Sequence, residues 1–134
     1  MTEKILNLLE EFLKMNEIEG LDLEKISKSL PEDEIMAMIT GKDEYVVKRS
    51  GNIEKYKEDK ISRSIKNASD RAGMQINTSD IGIILKDVSD RLFYGDDKRL
   101  TRTGEVRDIV LEALENDGFS QIGKAYESYV KNQN

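Results

Sequence analysis

The residues best suited to bind a ligand lie between positions 46 and 61. Lys48 and Arg49 end a β-rich run, and Gly51 follows them in a turn. Lys60 lies near the start of the next helix. Clustered cations and helix N-termini both attract anions, and they bind phosphate through charge-assisted hydrogen bonds. This spacing therefore predicts an anion site, suited to phosphate, formed by a hairpin and the helix that follows it.

Two absent residue types narrow the chemistry further. The 134 residues include no His and no Cys, which excludes Ser–His–Asp triads, thiol nucleophiles and Cys/His zinc sites. Carboxylates and lysines remain as acid–base groups, but we predict no catalytic residue, no metal site and no enzymatic activity. A chain without Cys forms no disulfides, and a cytoplasmic location fits this composition.

Two other patterns resemble ligand sites but fit them poorly. The segment from Gly118 to Ala125 approaches the P-loop consensus, yet Ala125 replaces the hydroxyl residue that binds Mg²⁺. The preceding residues indicate a helix where a P-loop needs a strand, so we interpret Gly118 as a helix C-cap. Asp96 and Asp97 lack the spacing of a calcium loop, and we interpret them as solvated surface carboxylates.

The net charge of −6 belongs to the N-terminal part of the chain. Residues 1–40 hold four Lys against ten Asp or Glu, whereas the remaining residues balance to zero. An acidic segment repels DNA phosphates, so we do not expect direct DNA binding. No apolar run approaches the length of a bilayer span, and the N-terminus lacks the pattern of a signal peptide. We therefore expect no membrane partner.

Residues 1–40 predict three short amphipathic helices. Apolar residues recur at helical spacing over 3–15, Asp22 is a candidate cap for a second helix, and Pro31 lies in the first turn of a third. Two interpretations stay open for these helices. They form either a cap that packs on the rest of the chain or an element for docking and dimerisation.

From residue 44 onward the sequence predicts a small sheet and four helices. Strands over 44–49 and 53–57 are joined through Gly51, and an extended piece around Leu100 adds a third strand. The helices begin near residues 59, 78, 103 and 120. The predicted fold class is α+β and mostly helical, a four-helix bundle capped by a hairpin or three-stranded sheet. We expect an acidic helical extension over 1–40 and a main domain over 44–131.

Three segments of the main domain together resemble the ATP-cone domain. That family occurs at the N-termini of many ribonucleotide reductases and in the bacterial repressor of their genes. The first segment follows the pattern Val-x-Lys-Arg-x-Gly, then an aromatic residue, then Lys-Ile, over residues 46–61. The others are Thr103-x-x-Val106-x-x-Ile109-Val110 and Ala125-Tyr126-x-x-Tyr129.

The resemblance implies an allosteric site for ATP or dATP, with Mg²⁺ as a companion of the nucleotide. It implies that Glu54 lies near the base or ribose and that Lys60 faces phosphate. Arg107 stands where the reductases often have a His, and it retains a hydrogen-bond donor there. Since neighbouring strand residues point to opposite faces, we also expect Lys48 and Arg49 to face apart. The implied nucleotide-binding residues are Lys48, Arg49, Gly51, Glu54, Lys60, Thr103 and Arg107.

The resemblance also implies a function as a binding module. We expect a stand-alone regulatory domain whose ATP or dATP state controls its own oligomerisation or its association with a partner such as a reductase. Two alternatives stay open. The chain is instead a helical interaction module or transcriptional regulator without a zinc ribbon that has lost nucleotide binding, or it is a fragment of a larger reductase.

Overall fold

The computed structural model describes residues 2–95 and 97–133, without the side chains of residues 129–133. The described residues are mostly helical and include one small mixed sheet, which confirms the predicted α+β class. No described helix combines the length and the apolar character that a membrane span requires. In chain order, the elements are α1 (Glu3–Met15), α2 (Leu23–Ser29), α3 (Glu32–Thr40), β1 (Tyr45–Val47), β2 (Ile53–Lys55), α4 (Glu58–Ala72), α5 (Thr78–Leu92), β3 (Leu100–Arg102), α6 (Thr103–Asn116) and α7 (Ser120–Gln133).

The chain folds as two compact units. Unit 1 comprises Met1–Tyr56 and Phe93–Thr103, and unit 2 comprises Lys57–Leu92 and Gly104–Asn134. Unit 1 thus contains α1 to α3 together with the whole sheet. The division of the protein into functional domains over 1–40 and 44–131 stays a prediction, but the boundaries of the compact units lie elsewhere.

The sheet of unit 1 has the strand order β2-β1-β3. β1 is antiparallel to β2, with Val47 opposite Ile53, and parallel to β3, with Tyr45 opposite Leu100. The strands are shorter than predicted, and the third strand near Leu100 is confirmed. Because side chains alternate along a strand, Tyr45, Val47, Ile53 and Leu100 lie on one face of the sheet.

That face packs on the three N-terminal helices in a single hydrophobic core. Its buried members come from α1 to α3, the turn after α1 and all three strands, and each fully buried large side chain contributes about 1.5–3 kcal/mol. The apolar faces of α1 to α3 are therefore used within unit 1, as the cap interpretation requires. The buried residues of this core are Leu9, Phe12, Leu13, Ile18, Ile26, Ile35, Met38, Val47, Ile53 and Leu100.

Unit 2 is helical and has its own apolar interior. α4 packs against α5 and α7, and its buried residues Ile61, Ile65 and Ala68 recur at spacings of four and three. α4 ends at Gly73, which caps it in the left-handed conformation at φ +66°. Gly123 lies inside α7, where an added Cβ would stand 3.3 Å from Leu111 Cδ1 of α6. A small residue at 123 therefore permits the close approach of α6 and α7.

Candidate functional site

The second face of the sheet carries Glu54, one of the seven predicted residues, and Lys48 lies next to it. Glu54 and Thr101 are the register partners of Val46 on either side of β1. Lys48 lies one residue beyond the end of β1, and its ion pair with Glu54 brings its ammonium to this side of the sheet. Thr101 is fully buried, whereas Lys48 is exposed. The Lys48 ammonium and the Glu54 carboxylate therefore lie close together on this side of the sheet, while Val46 and Thr101 of the same face are buried.

Lys48 and Glu54 form an ion pair across the hairpin. The distance from Lys48 Nζ to Glu54 Oε2 is 3.2 Å, and the two side chains are 47% and 37% exposed. An ion pair this open contributes only about 0–1 kcal/mol to stability, because water screens it. The Lys48 ammonium is therefore held in place only weakly.

Arg49 and Gly51 occupy the turn of the hairpin. The N–H of Gly51 donates to the carbonyl of Lys48 (2.9 Å), and that of Lys48 donates to the carbonyl of Asn52 (2.7 Å). β1 ends at Val47, so the expected alternation of Lys48 and Arg49 across a strand was wrong: Arg49 is an exposed turn residue. Gly51 has φ +93°, a conformation that favours glycine, although a Cβ there would meet no atom within 4 Å.

The remaining predicted residues lie on helices. Thr103 is the first residue of α6, directly after β3, and Arg107 is one turn further on, half-buried. Lys60 is the third residue of α4 and is exposed. Unit 1 thus contains five of the predicted residues, whereas Lys60 and Arg107 belong to unit 2. Nucleotide contact by each of the seven stays a prediction.

The segment that approaches the P-loop consensus does not have the geometry of a P-loop. Gly118 has φ +93° after the end of α6, and Phe119 N–H donates to the carbonyl of Leu114 (2.7 Å). The segment is a helix-to-helix turn, whereas a P-loop joins a strand to a helix. Among the described residues, no group of three acidic side chains is placed to hold a metal ion. Asp96 lies outside the described residues, as does the side chain of Tyr129.

Two cavities lie away from the predicted residues. One of about 530 Å³ in unit 1 is lined by α1, the end of α3 and Arg99. Another of about 710 Å³ in unit 2 is lined by the end of α4 and the segment that leads into α5. Neither lining includes any of the seven residues, so the predicted site does not coincide with either cavity. The hairpin is the better candidate for an anion site, because phosphate recognition depends on placed cations.

Sequence reasoning missed a cluster of long-range contacts at the start of β3. The guanidinium of Arg99 donates to the carbonyls of Asp43 (2.9 Å), Met38 (2.9 Å) and Ile39 (3.0 Å). It also lies 5.1 Å from the centre of the Phe12 ring. Met38 and Ile39 belong to the last turn of α3, whose end carbonyls have no partner in the helix. Arg99 therefore caps α3 from a distant part of the chain.

Asn16 is the second residue of that cluster. It is fully buried at the C-cap of α1, and its Oδ1 accepts from the N–H groups of Arg99 (2.6 Å) and Leu100 (2.8 Å). Its Nδ2 donates to the carbonyl of Phe12 (2.7 Å), and the buried Lys98 ammonium donates to the backbone carbonyl of Asn16. The only sequence signal was an Asn directly after an amphipathic helix. Such an Asn indicates a helix cap but does not show which backbone groups its side chain binds.

Comparison with known proteins identifies the family. The family model described as the ATP cone domain matches residues 44–134. No curated protein matches the chain. The matched region is more than half of the chain and includes the hairpin, β3 and all four helices α4 to α7, which confirms the resemblance found in the sequence. The ATP cone is a nucleotide-binding allosteric regulatory domain and not a catalytic one. The chain belongs to the ATP-cone family.

Proposed function

We propose that this protein is an ATP- or dATP-binding sensor whose nucleotide state controls its association with itself or with a protein partner such as a ribonucleotide reductase. The observation that carries the proposal is the match of the whole cone, 44–134, to a nucleotide-binding family. The hairpin supports it, since the exposed Lys48 ammonium pairs with Glu54 outside the hydrophobic core of unit 1.

In this proposal the cations of the hairpin bind the phosphates. Lys48 is held by a weak ion pair and can exchange its partner, while Arg49 reaches from the turn with a guanidinium fork that suits phosphate. Mg²⁺ would arrive with the nucleotide, because proteins usually hold it through phosphates and one or two carboxylates. The resemblance adds Lys60 and Arg107 as further donors and Gly51 as the turn residue that shapes the hairpin.

Glu54 and Thr103 are the proposed contacts to the nucleoside. A carboxylate accepts hydrogen bonds from sugar hydroxyls, and ATP offers one more such hydroxyl than dATP. A site group left without its partner by the wrong ligand lowers affinity for that ligand. The two nucleotides can also favour different assemblies, since a ligand shifts an equilibrium by its differential affinity for the two states. Binding, without hydrolysis, is the signal.

Calorimetric titration of the full chain with ATP and with dATP, paired with sizing in each nucleotide, tests the proposal. We expect saturable binding at submillimolar concentration. We also expect the nucleotide-bound protein to differ from the nucleotide-free protein in assembly size or in partner binding. If neither nucleotide binds at millimolar concentration, the sensor proposal fails and the helical interaction module takes its place. Turnover of ATP by the purified chain would contradict the non-catalytic assignment.

A further inference from the structure

The N-terminal segment lies outside the family match, yet it contacts the edge of the sheet beside the proposed site. β3 is an edge strand in the order β2-β1-β3, so one side of its backbone has no strand partner. Tyr94 Oη donates to Glu17 Oε2 (2.6 Å), and Arg102 donates to the carbonyl of Glu19. Together with Asn16 and the Arg99 cap, these contacts tie Tyr94 and residues 98–102 to residues 12–43.

Asn16 is the centre of this attachment. Its Oδ1 takes two consecutive N–H groups, those of Arg99 and Leu100, at the start of β3. Buried N–H groups without an acceptor are strongly unfavourable, and a fully buried amide supplies both with one. The Nδ2 contact to the Phe12 carbonyl fixes the orientation of the side chain. The start of β3 is therefore held from two sides, by the end of α1 and by its pairing with β1.

The position of β3 determines where site residues lie. β3 runs parallel to β1 with Thr101 opposite Val46, and Thr103 follows two residues later. Thr101 shares its sheet face with Glu54, which pairs with Lys48. If the start of β3 shifts along β1, the Thr101 and Thr103 groups move relative to Lys48, and displacements of about 1 Å are enough to weaken a preorganised site strongly.

We propose that Asn16 is a positioning residue of the nucleotide site, acting through the backbone of β3 without touching the ligand. This inference rests on the proposed function. Residues before the family match at 44–134 then take part in nucleotide binding, because they hold one edge of the sheet in the geometry that the nucleotide requires. By linkage, nucleotide binding in turn strengthens the attachment of α1 to β3.

The test compares Asn16→Ala, Asn16→Asp and the control Asn7→Ala in the full chain by ATP calorimetry below each melting temperature. Asn7 is exposed on the same helix. We expect Asn16→Ala to weaken ATP binding about tenfold or more, while Asn7→Ala leaves it unchanged. Asn16→Asp keeps an acceptor for both N–H groups but loses the Nδ2 donor to the Phe12 carbonyl, so we expect it to lose less ATP affinity than Asn16→Ala.

Equal ATP affinity in Asn16→Ala and wild type would overturn the inference, even if the melting temperature falls. A loss in Asn16→Asp as large as in Asn16→Ala would also overturn it. If Asn16→Ala does not fold, amide hydrogen exchange of Arg99 and Leu100 in the wild type decides: ATP should slow it, and no change contradicts the proposal. A wild type that binds no nucleotide refutes the sensor function itself, which separates the two failures.

Discussion

Arg99 offers a sharp test of the packing of the N-terminal helices. Replacing it with Ala leaves three carbonyls without their donor, at Met38, Ile39 and Asp43. The change also removes the positive charge at the end of α3, which has no basic residue in its own last turn. The contact of the guanidinium with the Phe12 ring is lost as well.

The size of the effect follows from these contacts. Hydrogen bonds to a charged group contribute about 1.5–3 kcal/mol, a cation at a helix C-terminus about 0.3–1 kcal/mol, and a cation–π contact about 0.5–1 kcal/mol when exposed. These terms overlap because one side chain makes them all, and they do not add. Since Arg99 is also partly exposed, we expect Arg99→Ala to lower the free energy of unfolding by about 2–3 kcal/mol.

Urea unfolding followed by circular dichroism measures this change. Arg63→Ala is the matched control, because Arg63 is exposed on α4 and its loss should stay within about 0.5 kcal/mol. Arg99→Lys should fall between them, since it keeps the charge but not the planar fork that reaches several carbonyls. If Arg99→Ala is as stable as Arg63→Ala, the guanidinium does not hold α3, and the reasoning from these contacts is refuted.

Four further variants test separate parts of the account. Lys48→Ala removes an exposed ion pair with Glu54 and should change the free energy of unfolding by less than about 1 kcal/mol in a urea titration; a larger loss would make the residue structural. Gly82→Ala should raise the free energy of unfolding by about 0.5–1 kcal/mol, because Ala is a better helix former than Gly. Gly123→Val should lower it by about 1–3 kcal/mol, because the larger side chain overpacks the contact with Leu111. Thermal unfolding measures both changes. Lys124→Ala should leave ATP affinity unchanged, and a loss of binding would revive the P-loop interpretation.

Local signals in the sequence predicted the elements well. The apolar spacing over 3–15 matches α1, Asp22 caps α2 by accepting from Glu24 N–H (3.0 Å), and Gly73 ends α4. Each of these depends on residues within one or two turns of each other, so the periodicity and the cap residue carry the information. The extended piece at Leu100 was predictable for the same reason.

The interactions between distant segments were not predictable. An amphipathic helix shows that it has an apolar face but not which surface covers it, so the packing of α1 to α3 on the sheet stayed open. Asn16 and Arg99 bind backbone groups more than fifty residues away. Every residue type carries a backbone carbonyl and nearly every type an N–H group, so the sequence does not show which of them a distant side chain binds. The strand alternation expected for Arg49 was wrong because β1 ends at Val47, two residues before the end that the β-rich pattern indicated.

The most direct test of the nucleotide site is the ratio of ATP affinities in Lys48→Ala and Lys55→Ala, measured by calorimetry. Both residues lie on the hairpin and both form exposed ion pairs, Lys55 with Asp43 at 3.4 Å. Lys55 follows Ile53 on the other face of the sheet, so the variants match in charge and differ in face. The account predicts about tenfold or weaker binding for Lys48→Ala and an unchanged affinity for Lys55→Ala. Equal affinities in the two variants would contradict it.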